Sequence, residues 1–425
     1  MGFIDSVFYF FAPYADVRER SVGLFFKGLT EHSNQSATRA RLGSLLQGNI
    51  AIINLWTEYQ YKGYRYLSKS QRRKLYANLQ LIVDDFDHFY TNNAQPAESV
   101  TAHIDRVTSG TAIDPRKAVL LQAMMDYFSQ ERRAYEYRES SSFGRLLRDP
   151  SHEKLVGDCN QIVTLYIYLY SRYYDVRDLQ IRLLPRHVAL HYGGIDIEAT
   201  TGRFTDYEKQ KDSTLLPIEE IVSVNLLDAT DSYLSTHEVS AENFLQASRF
   251  AFILSHDRGI VTRNLDAAYN KLINSLMKRH NYHQALKFAT ASHDVTLLGM
   301  VGHNGTIYEM ERHNYVAARR FAKYAPGAEE LTRKSWESEG VHYYQSHRYH
   351  DAIKAFKHSN DQVRVGQCYE ALFFDEQKKL GSNLTTESIK KYTSVIKRMH
   401  VYAKKSGNKK LIEYAAHLNK ALIKG

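Results

Sequence analysis

A chain of 425 residues exceeds one ordinary compact core, so two or three domains are expected, and 43% hydrophobic with 24% charged residues is the composition of a folded chain, not a disordered one. No apolar run approaches the roughly 18 residues of a membrane span, and two cysteines, Cys159 and Cys368, far apart in sequence, exclude a disulfide framework or a cysteine-based zinc site, so a reducing, cytoplasmic setting is expected. The net charge of +9 sits at one end: residues 378–425 carry eleven lysines and one arginine against two glutamates, which leaves the rest nearly neutral.

The opening MGFIDSVFYFFAPYADVRER has an apolar patch interrupted by Asp5 and preceded by no basic segment. It reads as a core-packing helix and not as a signal peptide. MGFIDS also fits the loose N-myristoylation pattern, although Phe3 is bulky for it. From there to about residue 110 the chain reads as helices. RARLGSLLQGNIAIINLWTEY and SQRRKLYANLQLIVDDFDHFY both place apolar residues three and four apart. The tyrosines of YQYKGYRYL between them suit helix grooves better than base stacking. NNAQPAES breaks the pattern, and PRKAVLLQAMMDYFSQERRAYEYRE opens another helix with Pro115 in its first turn.

The middle of the chain changes character. CNQIVTLYIYLYSRYY reads as an apolar helix by its length, and LQIRLLP, HVALHY and IDIEAT read as short strands separated by turn residues. A helix followed by an antiparallel sheet is an α+β arrangement. If Gly193 and Gly194 form a two-residue turn, Tyr192 faces Ile195, His191 faces Asp196 and Leu190 faces Ile197. Side-chain alternation then puts His187, Ala189, His191, Asp196, Glu198 and Thr200 on one face, with Val188, Leu190, Ile195 and Ile197 on the other. Upstream, Gly157 can supply a tight turn before Cys159 at the helix start, where the positive end of the helix dipole favours a thiolate. A nucleophilic cysteine also needs a base and a group to orient it, and the hairpin offers both.

The order GDC at a helix start, HVALHY on a strand and IEATTG on the next resembles the transglutaminase-like superfamily of cysteine enzymes over roughly residues 140–210. The resemblance implies a papain-like core in which Cys159 is the nucleophile, His187 the base and Glu198 the orienting carboxylate. Glu198 and Ala199 depart from the aspartate and proline usual there. The longer carboxylate is about 7 Å from His187 at Cα as a diagonal neighbour, and Ala189 opposite leaves it room. His191 and Asp196 form a rival pair, read first as a cross-strand hydrogen bond. A zinc ion on His187, His191 and Asp196 matches no metal motif, so neither metal nor cofactor is expected. The Cys159 backbone N–H is the expected oxyanion donor, with Asn160 as a further candidate.

From about 236 the chain is helical again, with a period. NYHQALKFA begins at Asn281, NYVAARRFA at Asn314 and RYHDAIKAF at Arg348, spacings of 33 and 34 residues. In the third copy Trp336, Gly340, Tyr343, Ala352 and Phe356 fall at W-x3-G-x2-Y-x8-A-x3-F, which resembles the tetratricopeptide repeat and implies an α-solenoid of helix pairs. Cys368, between apolar positions there, reads as packing. The lysines of the last two helices, interleaved with apolar residues, read as a solvated face and secondarily as a surface for an acidic partner. Nucleic acid is not expected, for want of a groove-reading motif.

The expected architecture is therefore mostly helical α+β. It comprises a helical region (1–110), a transglutaminase-like core with a small antiparallel sheet (111–235) and tetratricopeptide-like repeats (236–425). The expected function is cysteine chemistry on an amide bond of a protein or peptide, as peptidase, amidase or acyl transferase, with the repeats holding a protein partner. The alternative is an inactive scaffold for protein–protein interaction.

Overall fold

In a computed structural model, the described residues are 12–64, 66–108, 113–129, 135–139, 142–228, 239–381 and 389–424. The apolar segment 1–11, with the myristoylation pattern, lies outside them. The chain divides into two units, Met1–Leu272 and Ile273–Gly425. No helix among the described residues is long and apolar enough to cross a membrane.

The first unit begins with α1 (Val17–Lys27), α2 (Gln35–Leu46), α3 (Ile50–Tyr61), α4 (Lys69–Asn93), α5 (Ala97–Val107) and α6 (Pro115–Phe128). The long apolar stretch around residue 48 is two helices, because Gly48 takes a left-handed φ of 71° between them. Helix α3 is buried from Ile50 to Glu58, as expected of a helix with apolar residues on every side. Its Glu58 accepts hydrogen bonds from the Gly144 amide (3.3 Å), the Ser142 hydroxyl (3.2 Å) and the Phe143 amide, and burial pushes its carboxyl up to about 7. Tyr61, from the tyrosine-rich stretch, packs edge-on against Phe250 at 5.0 Å and fills a core groove, as its spacing suggested.

Helix α6 starts at Pro115, capped by Asp114. It stops at Phe128, short of the quoted helical stretch, and Tyr135–Tyr137 is instead strand β1, paired in parallel with β2 (Leu155–Gly157). Helix α7 (Cys159–Tyr170) follows, then β3 (Gln180–Leu184), β4 (His187–Tyr192), β5 (Ile195–Glu198), β6 (Arg203–Thr205) and β7 (Thr214–Pro217). These five strands form one antiparallel sheet in the order β6-β5-β4-β3-β7. Gly193 and Gly194 both have positive φ, 57° and 94°, and the pairs Leu190 with Ile197, His191 with Asp196 and Tyr192 with Ile195 are those the two-residue turn dictates. Helix α7 lies against β4 and is buried along nearly all its length. The Gln47 side chain fixes its far end, donating to Ser171 O at 2.6 Å and accepting from Val176 N at 3.0 Å. Helices α8 (Glu220–Leu227), α9 (Ala241–Leu254) and α10 (Arg258–Lys278) complete the unit, with the unit boundary inside α10.

The domain boundaries differ from those expected at 110 and 235. One apolar core runs from Ala15 to Val261 and includes α3, α7, the sheet and α9. Phe250 of α9 meets Phe26 of α1 at 5.4 Å, so the helices on either side of the sheet close a single core.

The second unit is helical: α11 (Tyr282–Ala291), α12 (Val295–Glu311), α13 (Tyr315–Ala322), α14 (Ala328–Gln345), α15 (Tyr349–His358), α16 (Gln362–Gln377), α17 (Thr393–Ser406) and α18 (Lys409–Lys424). Helices adjacent in sequence pack against one another. The sequence period appears as a repeated turn. His280, His313 and His347 each take a left-handed φ of 57–58°, and the amides of Asn281, Asn314 and Arg348 donate back to Leu276 O, Glu309 O and Tyr343 O at 2.8–2.9 Å. A Cβ on Gly340 would lie 2.5 Å from the Phe356 ring, and one on Gly305 would lie 2.7 Å from Phe321. A close-packed glycine is thus present in the second copy too, where Gly305, Tyr308, Ala317 and Phe321 keep the same spacing without the tryptophan. Cys368 is fully buried with Tyr349, Phe356 and Val365, and burial pushes its thiol up to about 11. On α17, Val395, Ile396, Met399 and Ala403 are buried while Lys397, Lys404 and Lys405 face solvent.

Candidate active site

Strand β2 delivers the chain to α7 through one residue, Asp158. The Asp158 carboxylate accepts the Gln161 amide at 3.2 Å, and the Gln161 side chain accepts the Asp158 amide at 3.2 Å, a reciprocal capping box that starts the helix at Cys159. Gly157 has no left-handed backbone, contrary to the tight turn expected of it. It is required for space, since a Cβ there would sit 2.6 Å from Gln161 Oε1. The Tyr135 hydroxyl holds the Gly157 carbonyl at 2.8 Å. The Cys159 amide is the first of the helix and so has no intrahelical acceptor.

His187 opens β4 immediately after the two-residue turn Pro185–Arg186, in which Arg186 takes a left-handed φ of 61°. Its Nε2 lies 2.7 Å from Glu198 Oε2, and its ring lines the same cleft as Cys159. The nearby Cys159 first, and the bond to Glu198 second, push His187 up to about 10, against the opposing effect of burial. Glu198 accepts Thr200 N at 3.2 Å, the Thr200 hydroxyl and the Tyr207 hydroxyl at 2.8 Å. Burial opposes its ionisation, but these donors and His187 outweigh it and hold the carboxyl down at about 2.

Cys159, Asn160 and His187 line a cleft of about 420 Å³. One wall is Leu183, Leu184 and Arg186, and the other is α8 and the turn after α9, including Ser223, Asp228 and Asp257. That second wall includes residues from the stretch assigned to the repeats on sequence, where no local signal tied them to the cysteine.

His191 and Asp196 do not line the cleft. His191 Nδ1 lies 2.8 Å from Asp196 Oδ1, which also receives Arg182 Nε at 3.1 Å, and all three are buried. No cluster of three or more histidine, cysteine or acidic side chains suited to a metal occurs among the described residues. Besides the expected Cys159, His187 and Glu198, the structure brings in Tyr207, Thr200 and Arg182. Thr200 lay on the polar face in sequence. Tyr207, beyond the hairpin, had no signal of spacing or motif. Comparison of the chain with protein-family models, curated proteins and solved structures finds no match to any.

Proposed function

We propose that this cleft is the active site of a cysteine-dependent enzyme of the transglutaminase-like kind, acting on an amide bond of a protein or peptide. The observation that carries the reading is that His187 lines one cleft with Cys159 and is held at 2.7 Å by a buried Glu198. Cys159 Sγ attacks the carbonyl carbon as the thiolate, its charge balanced by the His187 imidazolium. The oxyanion is met by the Cys159 amide N–H at the helix start. His187 gives its proton to the leaving amine as the C–N bond breaks, and a thioester remains on Cys159. Water then releases an acid, or a second amine releases a new amide, with His187 accepting the proton of the incoming group. Glu198 stays ionised and orients the ring throughout. The helix pairs of the second unit fit a tetratricopeptide-type solenoid that holds a protein or peptide partner. The chemistry needs a free thiol, which suits a reducing compartment such as the cytoplasm.

The test is alkylation by iodoacetamide, followed by mass spectrometry of the modified peptide. Wild type and Cys368→Ala are expected to react rapidly at Cys159 at neutral pH, and Cys159→Ala not at all. Labelling of Cys159 no faster in the folded protein than in the denatured chain would sink the reading in favour of an inactive scaffold.

A further inference from the structure

Glutamate has three side-chain torsions, so a carboxylate that must present one oxygen to an imidazole has to be held at both oxygens. Thr200 holds Oε1 through its amide, at 3.2 Å, and its hydroxyl. The oxygen that matters, Oε2, receives His187 Nε2 at 2.7 Å and the Tyr207 hydroxyl at 2.8 Å. Tyr207 is itself anchored from below, because its amide N–H donates to Asp196 Oδ2 at 2.8 Å. Asp196 is fixed in turn through its other oxygen, by Arg182 and His191. A continuous chain of hydrogen bonds therefore runs from the buried Arg182–His191–Asp196 cluster through Tyr207 to Glu198 and His187, which lines the cleft with Cys159.

We propose that Tyr207 is a positioning residue: its hydroxyl sets Glu198 Oε2 against His187, and the His191–Asp196 pair acts on the reaction only through Tyr207. This rests on the reading of Cys159 as a nucleophile. The geometry supports it twice over, once at the side chain and once at the main chain, and Tyr207 is half-buried and so shielded from competing water. Its phenol is pushed up to about 12, by burial and then by the bond to Glu198, so it stays a donor wherever the enzyme could work.

Tyr207→Phe keeps the ring and the amide bond to Asp196 and removes only the hydroxyl. The rate of iodoacetamide alkylation at Cys159 is measured across pH in a Cys368→Ala background, for Tyr207→Phe, Glu198→Gln and the double variant. Loss of one hydrogen bond to a charged group is expected to slow alkylation about tenfold. The alkaline limb set by His187 should also move to lower pH. In the Glu198→Gln background the same change should cost less than about twofold, because the group it acts through is gone. Equal slowing in both backgrounds would show a general loosening of the fold and overturn the proposal, as would an unchanged rate and pH limb in Tyr207→Phe. Slow labelling of the parent protein itself would instead defeat the catalytic reading, so the two failures are distinguishable.

Discussion

Replacing Glu198 with glutamine keeps the size and planarity of the carboxylate and deletes its charge. The carboxylate is 4% exposed and its oxygen lies 2.7 Å from His187 Nε2, while the imidazole is 28% exposed. Two unit charges about 4 Å apart interact by about 4 kcal/mol at the effective dielectric of a protein surface, and discounting for the exposed side of the imidazole leaves about 2 kcal/mol. At 1.36 kcal/mol per pH unit that is a fall of about 1.5 units in the His187 midpoint, from about 10 in the wild type. The midpoint can be read by NMR of the 13C-histidine-labelled protein, with the resonance assigned by its loss in His187→Asn. The linked stability has a definite sign. His187 is raised from 6.5, so its contribution is complete below that value and is lost as the pH rises through about 10. Glu198 is depressed from 4.5, so its contribution is present above that value and is lost as the pH falls through about 2. Denaturant unfolding should therefore separate wild type from Glu198→Gln by about 2 kcal/mol at neutral pH, with the gap closing toward either extreme. An unchanged midpoint in the variant, or a wild-type midpoint near 6.5, would refute the electrostatic coupling on which the site is built.

Two further substitutions test the scaffold. Gly157→Ala drives a Cβ into the Gln161 carboxamide and so breaks half of the capping box; it should cost about 1 kcal/mol of stability and slow alkylation of Cys159 relative to Cys368→Ala, both measurable on the same sample. Gly340→Ala forces a methyl onto the Phe356 ring and should destabilise the second unit by about 1–3 kcal/mol. The check is calorimetry together with Cys159 alkylation, which should stay at the wild-type rate because the cleft lies wholly in the first unit.

The elements of the site that could be read along the chain are those set by local rules. The capping pattern of Asp158 and Gln161 places the helix start at Cys159. The two glycines of the hairpin leave one register, and the register leaves His187 and Glu198 as neighbours on one face. What could not be read depends on contacts distant in sequence. Tyr207 reaches Glu198 only because β6 pairs with β5. The wall formed by α8 and the turn after α9 belongs to the first unit because Phe250 finds Phe26 and Tyr61, a choice made by packing and not by periodicity. Gly157 was legible as a necessary glycine but not for the right reason, since its constraint comes from the Gln161 side chain four residues on.

Alternation along the hairpin puts two histidine–acid pairs on one face and cannot say which meets the thiol. The distinction is electrostatic and positional. Arg182 on β3 stands opposite Ala189, and through the space that small residue leaves it reaches Asp196, so the His191–Asp196 pair is neutralised by an internal cation and buried. A pair so compensated has no charge to spare for a substrate. His187 is the first residue of its strand, beside the left-handed Arg186, and its acid takes its hydrogen bonds from neutral donors, Thr200 and Tyr207, with Arg203, its partner across the strands, exposed to solvent. Neutral donors orient a carboxylate without cancelling its charge, which leaves Glu198 free to hold an imidazolium next to sulfur. The same face therefore carries one pair whose acid is bonded by a buried arginine and one whose acid is bonded by hydroxyls and lies beside the cleft, and the side chain that separates them is Arg182.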